Sequence, residues 1–365
     1  ATQENRRVAM GVTRIGYVIN VFPKLSETFI AVEMAELRRR GVEVLAVSLR
    51  TPTETLRHPI LESAGLLERT VYPPTDCLPA LKAFHPDLLH AHFATEPTAA
   101  ARDFSKALDV PFTFTAHGYD IHRKPPADFD RRAADASAVV TVSRANADYM
   151  HATFKISREK IHVIPCGVDT NLFKPLDHKS SVEPPLIVCV ARHVVVKNLG
   201  LLLHALRLLT DWKIPFRGVL IGDGPCHNEL KQLARELGIE NQVDFIGAAT
   251  QDAVLPWLQR ATIAVLSSQN EGMPVSLMEA AACGAPLVAT AVGGIPELVR
   301  DGVTGFVAAP EPELFARALQ RVLQNPNLAR AMRTAARADA VARFSVQRQV
   351  DELLAMWENV CAWAK

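Results

Sequence analysis

Short apolar runs alternate with amphipathic stretches along most of this chain. RIGYVINVF (14–22) is rich in branched residues and reads as a strand. Ile30, Met34 and Leu37 then fall at helical spacing, and Gly41 is placed to stop that helix. VEVLAVSLR (42–50), DLLHAHF (87–93), VPFTFTAHG (110–118) and SAVVTVS (137–143) are further expected strands, and KIHVIPCGVDTNLFKP (160–175) opens on one more. Strands this continuously apolar bury both faces, which predicts a parallel sheet with helices on each side. HKSSVEPP (178–185) breaks the pattern as a polar, proline-rich linker. The alternation then restarts with strand PLIVCVAR (185–192), helix 198–209, strand FRGVLIGDG (216–224), helix 227–237, strand VDFIG (243–247), helix 251–260 and strand TIAVLSS (262–268). A helix beginning in EGMPVSLME (271–279) and strand APLVATAV (285–292) follow.

The expected fold class is therefore α/β, with two doubly wound parallel-sheet domains at 1–174 and 175–345. A C-terminal helix, 346–365, carries Val350, Leu353, Leu354 and Trp357 at helical spacing and is expected to pack back on the first domain. Open parallel sheets bind ligands beyond the C-terminal ends of their strands, so two such sheets facing each other would line a cleft.

Composition narrows the class. A length of 365 residues suits two domains, and 48% apolar with 22% charged residues is ordinary for a globular protein. A net charge of +1 gives no broad electrostatic reason to bind nucleic acid. The six cysteines are scattered without zinc spacing, as expected of reduced thiols in a cytosol-like compartment. No apolar run approaches the ~20 residues of a membrane helix, and the polar start ATQENRRVAMGV reads as a frayed tail without a signal-peptide core. A cytoplasmic location is the expectation.

The chemistry gathers after the strands of the second half. In EGMPVSLME, Pro274 is expected at the first helical position, and Gly284 is placed to end the helix after Cys283. The free N–H groups and positive dipole end of such a helix suit an anion. Glu279 inside the helix can accept two hydrogen bonds from a ribose diol, and Glu271 before it can accept hydroxyls from a second sugar. Two solvated acids would have the same sequence. Arg192 and Lys197, in VARHVVVKNLG, suit a diphosphate. GDGP (222–225) and AVGGIPELV (291–299) add glycine loops after strand ends, where backbone can approach a ligand closely.

These segments together resemble the retaining glycosyltransferases of family 4, which have the GT-B fold. The match rests on Glu271 and Glu279 with seven residues between them, on ACGAPLVATAVGGIPELVRDGVTGFV (282–307), and on VARHVVVKNLGLLLHAL, LIGDGP, VDFIGA and VIPCGVDTNLFKP. FPKLSETFI (22–30) is similar to enzymes that build bacterial exopolysaccharides of the colanic-acid type. The resemblance implies transfer of a hexose-type sugar, with retention, from a UDP- or GDP-sugar to a saccharide or lipid-linked acceptor. It implies no cofactor and no metal, and no DxD loop of the expected kind is found.

By the same resemblance Arg192 and Lys197 hold the diphosphate, Glu279 the ribose, and Glu271 hydroxyls of the transferred sugar. Backbone around Gly272, Met273, Val275 and Ser276 contacts sugar and phosphates, whereas Pro274 stands where many relatives have glycine and offers no N–H. Gly222 and Gly224 belong to the donor site, and Phe245, Gly247 and Ala248 lie along the base. His117 reaches the reacting centre. The first domain lacks the glycine-pair loop of some relatives. INVFPKLSET stands there instead, with Lys24, Ser26, Glu27 and Thr28 as acceptor candidates.

Two other fold-preserving readings stay open, an epimerase and a non-catalytic nucleotide-sugar binder. A phosphorylase would need a lysine-bound pyridoxal cofactor that nothing here singles out. His90 and His92 face one side of a strand and could hold a metal, but packing is favoured because no third ligand stands nearby. Arg38, Arg39 and Arg40 suit a helix C-terminus, and weak peripheral association with anionic lipid is a further expectation.

Overall fold

The structure, a computed structural model, describes residues 11–176 and 183–363. The first ten residues of the expected tail and residues 177–182, which include most of the expected linker, lie outside that description.

The chain divides into two units. The first runs to Gly167 and also takes the C-terminal segment from Val346; the second is Val168–Ser345. The division thus falls seven residues before the expected boundary at 174/175, because Asp169–Phe173 form a turn whose end is bound by a second-unit side chain. The Arg337 guanidinium donates to the carbonyls of Thr170 and Phe173.

Seven parallel strands form the first sheet: β1 (Arg14–Val21), β2 (Glu43–Arg50), β3 (Thr70–Val71), β4 (Leu88–His92), β5 (Phe112–Ala116), β6 (Ala138–Thr141) and β7 (Ile161–Val163). Their order is β3-β2-β1-β4-β5-β6-β7. The second sheet has six: β8 (Leu186–Val190), β9 (Arg217–Ile221), β10 (Val243–Gly247), β11 (Ile263–Leu266), β12 (Leu287–Thr290) and β13 (Gly305–Ala308), in the order β10-β9-β8-β11-β12-β13. Strand order therefore reverses between β1 and β4 in one sheet and between β8 and β11 in the other. A crevice opens at such switch points because successive crossovers leave in opposite directions. The very short β3 escapes periodicity arguments, and β13 sits in a glycine-rich stretch without alternation.

The central strands are buried on both faces, as their apolar runs require. One face of the first sheet nevertheless carries polar side chains. His90 and His92 of β4 sit in register with Thr113 and Thr115 of β5, all buried. The helix Val346–Trp363 covers this stripe. Its Trp357 packs edge-on against His90 at 5.2 Å and donates from Nε1 to the Thr113 hydroxyl. A buried indole N–H needs such an acceptor.

Arg39 and Arg40 both bind the Glu36 carboxylate, and Arg40 also pairs with Asp351 of that C-terminal helix. Two of the three arginines offered for lipid contact are therefore tied into the protein. Among the described residues no helix is long and apolar enough to cross a membrane.

Candidate active site

In the second unit the loops after β8 and β11 flank the switch point and are stitched together. The Gln269 amide donates to the Val196 carbonyl (2.8 Å), and the Ser267 hydroxyl donates to the Asn198 carbonyl (3.0 Å). This brings together two residues 74 positions apart: Lys197 Nζ forms an ion pair with Glu271 Oε1, which also accepts from the Ser268 hydroxyl at 2.6 Å. Both side chains are largely sheltered, 19% and 11% exposed, so the Coulomb attraction is weakly screened. Arg192 is exposed and its side chain has no partner among the described residues. A cation left in water beside a paired one is available to an anionic ligand.

The helix starts one residue later than expected. It spans Val275–Ala282, and Pro274 is its N-cap in extended conformation rather than its first residue. Proline fixes φ near −65° but leaves ψ free, and here ψ is 113°. The Val275 and Ser276 amides thus lead the first turn without intrahelical acceptors. Met273 and Pro274 themselves are buried. Glu279 lies one turn in, 5% exposed, with Oε1 accepting from Gln251 Nε2 at 2.7 Å. Burial pushes its carboxyl up to about 7, only partly offset by the Gln251 hydrogen bond.

Gly222 and Gly224 have a reason other than ligand approach. A Cβ on Gly222 would stand 1.9 Å from the Ala191 carbonyl oxygen, and one on Gly224 would stand 2.5 Å from that of His193. These glycines let the loop after β9 pack backbone to backbone against the loop that carries Arg192. Gly247, at φ 85°, has open space where a side chain would be. Phe245 is half-buried beside His193 and His227, whose rings stack at 4.9 Å, and Ala248 is exposed.

The second glycine loop is a brace. The Gly294 amide donates to the Glu271 carbonyl (3.0 Å), and a Cβ on Gly293 (φ 51°) would lie 2.0 Å from that same oxygen. We expect Gly293→Ala to cost at least about 2 kcal/mol through strain and displacement of the Glu271 loop. Chemical denaturation would show it as a lower midpoint at unchanged slope, and an unshifted midpoint would contradict the brace.

In the first unit His117 follows β5, flanked by the rings of Phe29 (4.7 Å) and Phe93 (4.6 Å). Its turn is held by Asp120, whose carboxylate accepts from the amides of Ala94, His117 and Gly118. The Asn146 amide donates to the His117 carbonyl at 2.6 Å. Burial, with His92 close by, keeps the His117 imidazole neutral well below its usual range. The loop after β1 lies next to Phe29. In it Lys24 and Glu27 neutralise each other (2.6 Å), Thr28 opens the helix Thr28–Arg39, and Ser26 is exposed.

The structure corrects one expectation here. A third group does stand beside His90 and His92: Glu33, from the helix Thr28–Arg39, with one donor atom of each of the three within 4.8 Å of the others. Each already has protein partners. His90 meets the Thr113 and Thr115 hydroxyls at 2.8 and 2.9 Å, and Glu33 accepts from Tyr17 and Gln349. Sequence reasoning missed Glu33, Gln251, Ser268 and Asp120. Apart from Ser268, each of these acts on a residue distant in the chain, as Asp120 does on Ala94 and Gln251 on Glu279.

Two parallel, doubly wound sheets, each with one reversal of strand order, define a fold of the GT-B class. Known proteins agree with that class. A profile described as glycosyl transferases group 1 matches residues 173–339, and one described as Glycosyltransferase Family 4 matches residues 26–172. The chain is 30% identical over 307 residues to the putative colanic acid biosynthesis glycosyltransferase WcaL of Escherichia coli K12, covering 80% of this chain and 73% of that one. This protein belongs to glycosyltransferase family 4.

It is also 31% identical over 258 residues to the amylovoran biosynthesis glycosyltransferase AmsK of Erwinia amylovora, 66% of this chain and 61% of the relative. The chain spans about half the length of several curated relatives it matches. Among solved structures, Anabaena HepE in complex with UDP and glucose aligns with a TM-score of 0.80 at 20% identity, over 95% of this chain and all of that one.

Proposed function

We propose that the protein transfers a hexose-type sugar from a nucleotide-diphosphate sugar to a hydroxyl of a saccharide or lipid-linked saccharide, with retention, in polysaccharide or glycolipid synthesis. The observation that carries this is the convergence of Lys197, Glu271 and the start of the Glu279 helix at one switch point. The complex of HepE with UDP and glucose and the name of WcaL support a nucleotide-sugar donor and a polysaccharide product.

In this reading Arg192, Lys197 and the amides of Val275 and Ser276 take the charge that develops on the departing diphosphate. Glu279 accepts the ribose hydroxyls, the segment 245–248 lies along the base, and Glu271, held by Lys197 and Ser268, faces hydroxyls of the sugar. The bond from the anomeric carbon to the β-phosphate oxygen breaks, and a bond to the acceptor oxygen forms on the same face. The acceptor proton passes to the departing phosphate, so neither a dedicated base nor a metal is required. His117 is the first unit's candidate for contact with a substrate hydroxyl. Lys24, Ser26 and Thr28 are the acceptor-side candidates, with Lys24 and Glu27 free to part when an acceptor enters.

A thermal-shift panel of UDP-, GDP-, ADP- and TDP-sugars tests the donor. A ligand at 100 times its Kd stabilises by about 2.7 kcal/mol, so the true donor should raise the midpoint most. Glu279→Ala should remove that rise. A panel with no rise for any donor would refute the proposal.

A further inference from the structure

The buried polar stripe under the C-terminal helix connects to His117 through hydrogen bonds whose directions can be worked out. Glu33 Oε1 accepts from the Tyr17 hydroxyl (2.6 Å) and faces His92 Nε2 (3.3 Å), and Glu33 Oε2 accepts from Gln349 Nε2 (2.6 Å). Tyr17 keeps its proton, since burial and the Glu33 charge push its hydroxyl well above its usual range. A carboxylate offered three donors needs to donate nothing, so His92 presents Nε2–H to it. With that Nε2–H, facing Glu33, as the single proton on its ring, His92 Nδ1 carries a lone pair. That nitrogen lies 3.1 Å from His117 Nε2, which must therefore be the donor in that contact. His117 Nδ1 is left as a lone pair with no partner among the described residues, between the Phe29 and Phe93 rings.

We infer that Glu33 and His92 are positioning residues that fix His117 in its Nε2–H tautomer, so that Nδ1 stands ready to accept a hydrogen bond from a substrate hydroxyl. The inference rests on the proposed role of His117 but concerns groups that touch no substrate. It gives the C-terminal helix a task beyond covering the sheet, because Gln349 supplies one of the donors that orient Glu33, and Trp357 holds Thr113 beside His90. It also accounts for a glutamate that is 1% exposed on the buried face of its helix. Burial of such a group is costly unless every oxygen is satisfied.

Two substitutions separate positioning from packing. In His92→Asn the side-chain carbonyl takes the place of Nδ1 and can still accept from His117. In His92→Leu nothing can. Long-range 15N correlation spectra of the full chain, with His117 assigned by its loss in His117→Ala, should show the Nε2–H tautomer in the wild type and in His92→Asn. A mixture or the other tautomer is expected in His92→Leu. Nucleotide release in the presence of acceptor should fall roughly tenfold or more in kcat for His92→Leu and less for His92→Asn, a lost hydrogen bond of about 1.4 kcal/mol being a factor of ten. The nucleotide-induced thermal shift should be unchanged in both. A wild-type His117 bearing its proton on Nδ1 would overturn the inference, as would equal losses in the two variants. So would stoichiometric zinc in the purified protein that Glu33→Gln removes. If His117→Ala itself leaves the rate unaltered while the tautomer pattern is as stated, the proposed role of His117 fails and the relay stands.

Discussion

Arg192→Ala and Lys197→Ala should each lower the rate of nucleotide release from the true donor by roughly 10²–10³-fold, the range seen when one preorganised group facing developing charge is removed. Their effects on the folded state should differ. Arg192 is exposed and its side chain has no partner among the described residues, so its removal should leave the melting midpoint where it is. Lys197 neutralises a largely sheltered Glu271, so its removal leaves a carboxylate with only the Ser268 hydroxyl and should cost a few kcal/mol. Lys197→Ala with Glu271→Gln should recover most of that stability and none of the activity, because the cation is still missing. Stopped or discontinuous measurement of released nucleotide, alongside thermal unfolding, checks both halves. An Arg192→Ala enzyme of wild-type rate would remove arginine from the diphosphate site.

Glu279→Gln should stabilise the ligand-free protein at pH 8 and abolish its response to donor. With the carboxyl raised from 4.5 to about 7 by burial, the folded protein keeps a proton that the unfolded chain has released. Stability then falls as pH rises through that interval, by about 3 kcal/mol once both states are ionised. Below about pH 4.5 the group is neutral in both states and the wild type loses nothing. Glutamine does not titrate and can still accept from Gln251, so the variant should melt several degrees higher than wild type at pH 8 and at the same temperature near pH 4.5. A ribose diol that donates to the carboxylate favours the ionised form. Donor affinity in the wild type should therefore rise between pH 6 and pH 8 with release of a proton, which calorimetry in buffers of different ionisation enthalpy would register. A donor shift that survives in Glu279→Gln would place the ribose elsewhere.

Most of the strands could be read from the chain, since a parallel strand buried on both faces must be a short apolar run. PLIVCVAR and Leu186–Val190 coincide for that reason. The helices Pro312–Leu323 and Pro326–Phe344 went unread, although Phe315, Leu319 and Val322 are buried at helical spacing. Pro274 shows the limit of local rules: a proline before a helix is compatible with two neighbouring positions, and its extended ψ of 113° makes it the N-cap.

By itself the sequence determined the α/β class, the repetition of the doubly wound plan and the family, because strand burial and the Glu271–Glu279 spacing are written in contiguous residues. The tertiary structure decided the partnerships. Lys197 meets Glu271, Gln251 meets Glu279, and Glu33 meets His92 across 74, 28 and 59 positions. It also decided what the glycines of GDGP are for, since the space a Cβ would occupy is filled by the backbone of another loop. Such facts depend on which strand ends the topology places side by side. A hydrogen bond acts over about 3 Å, and separation along the chain says nothing about it.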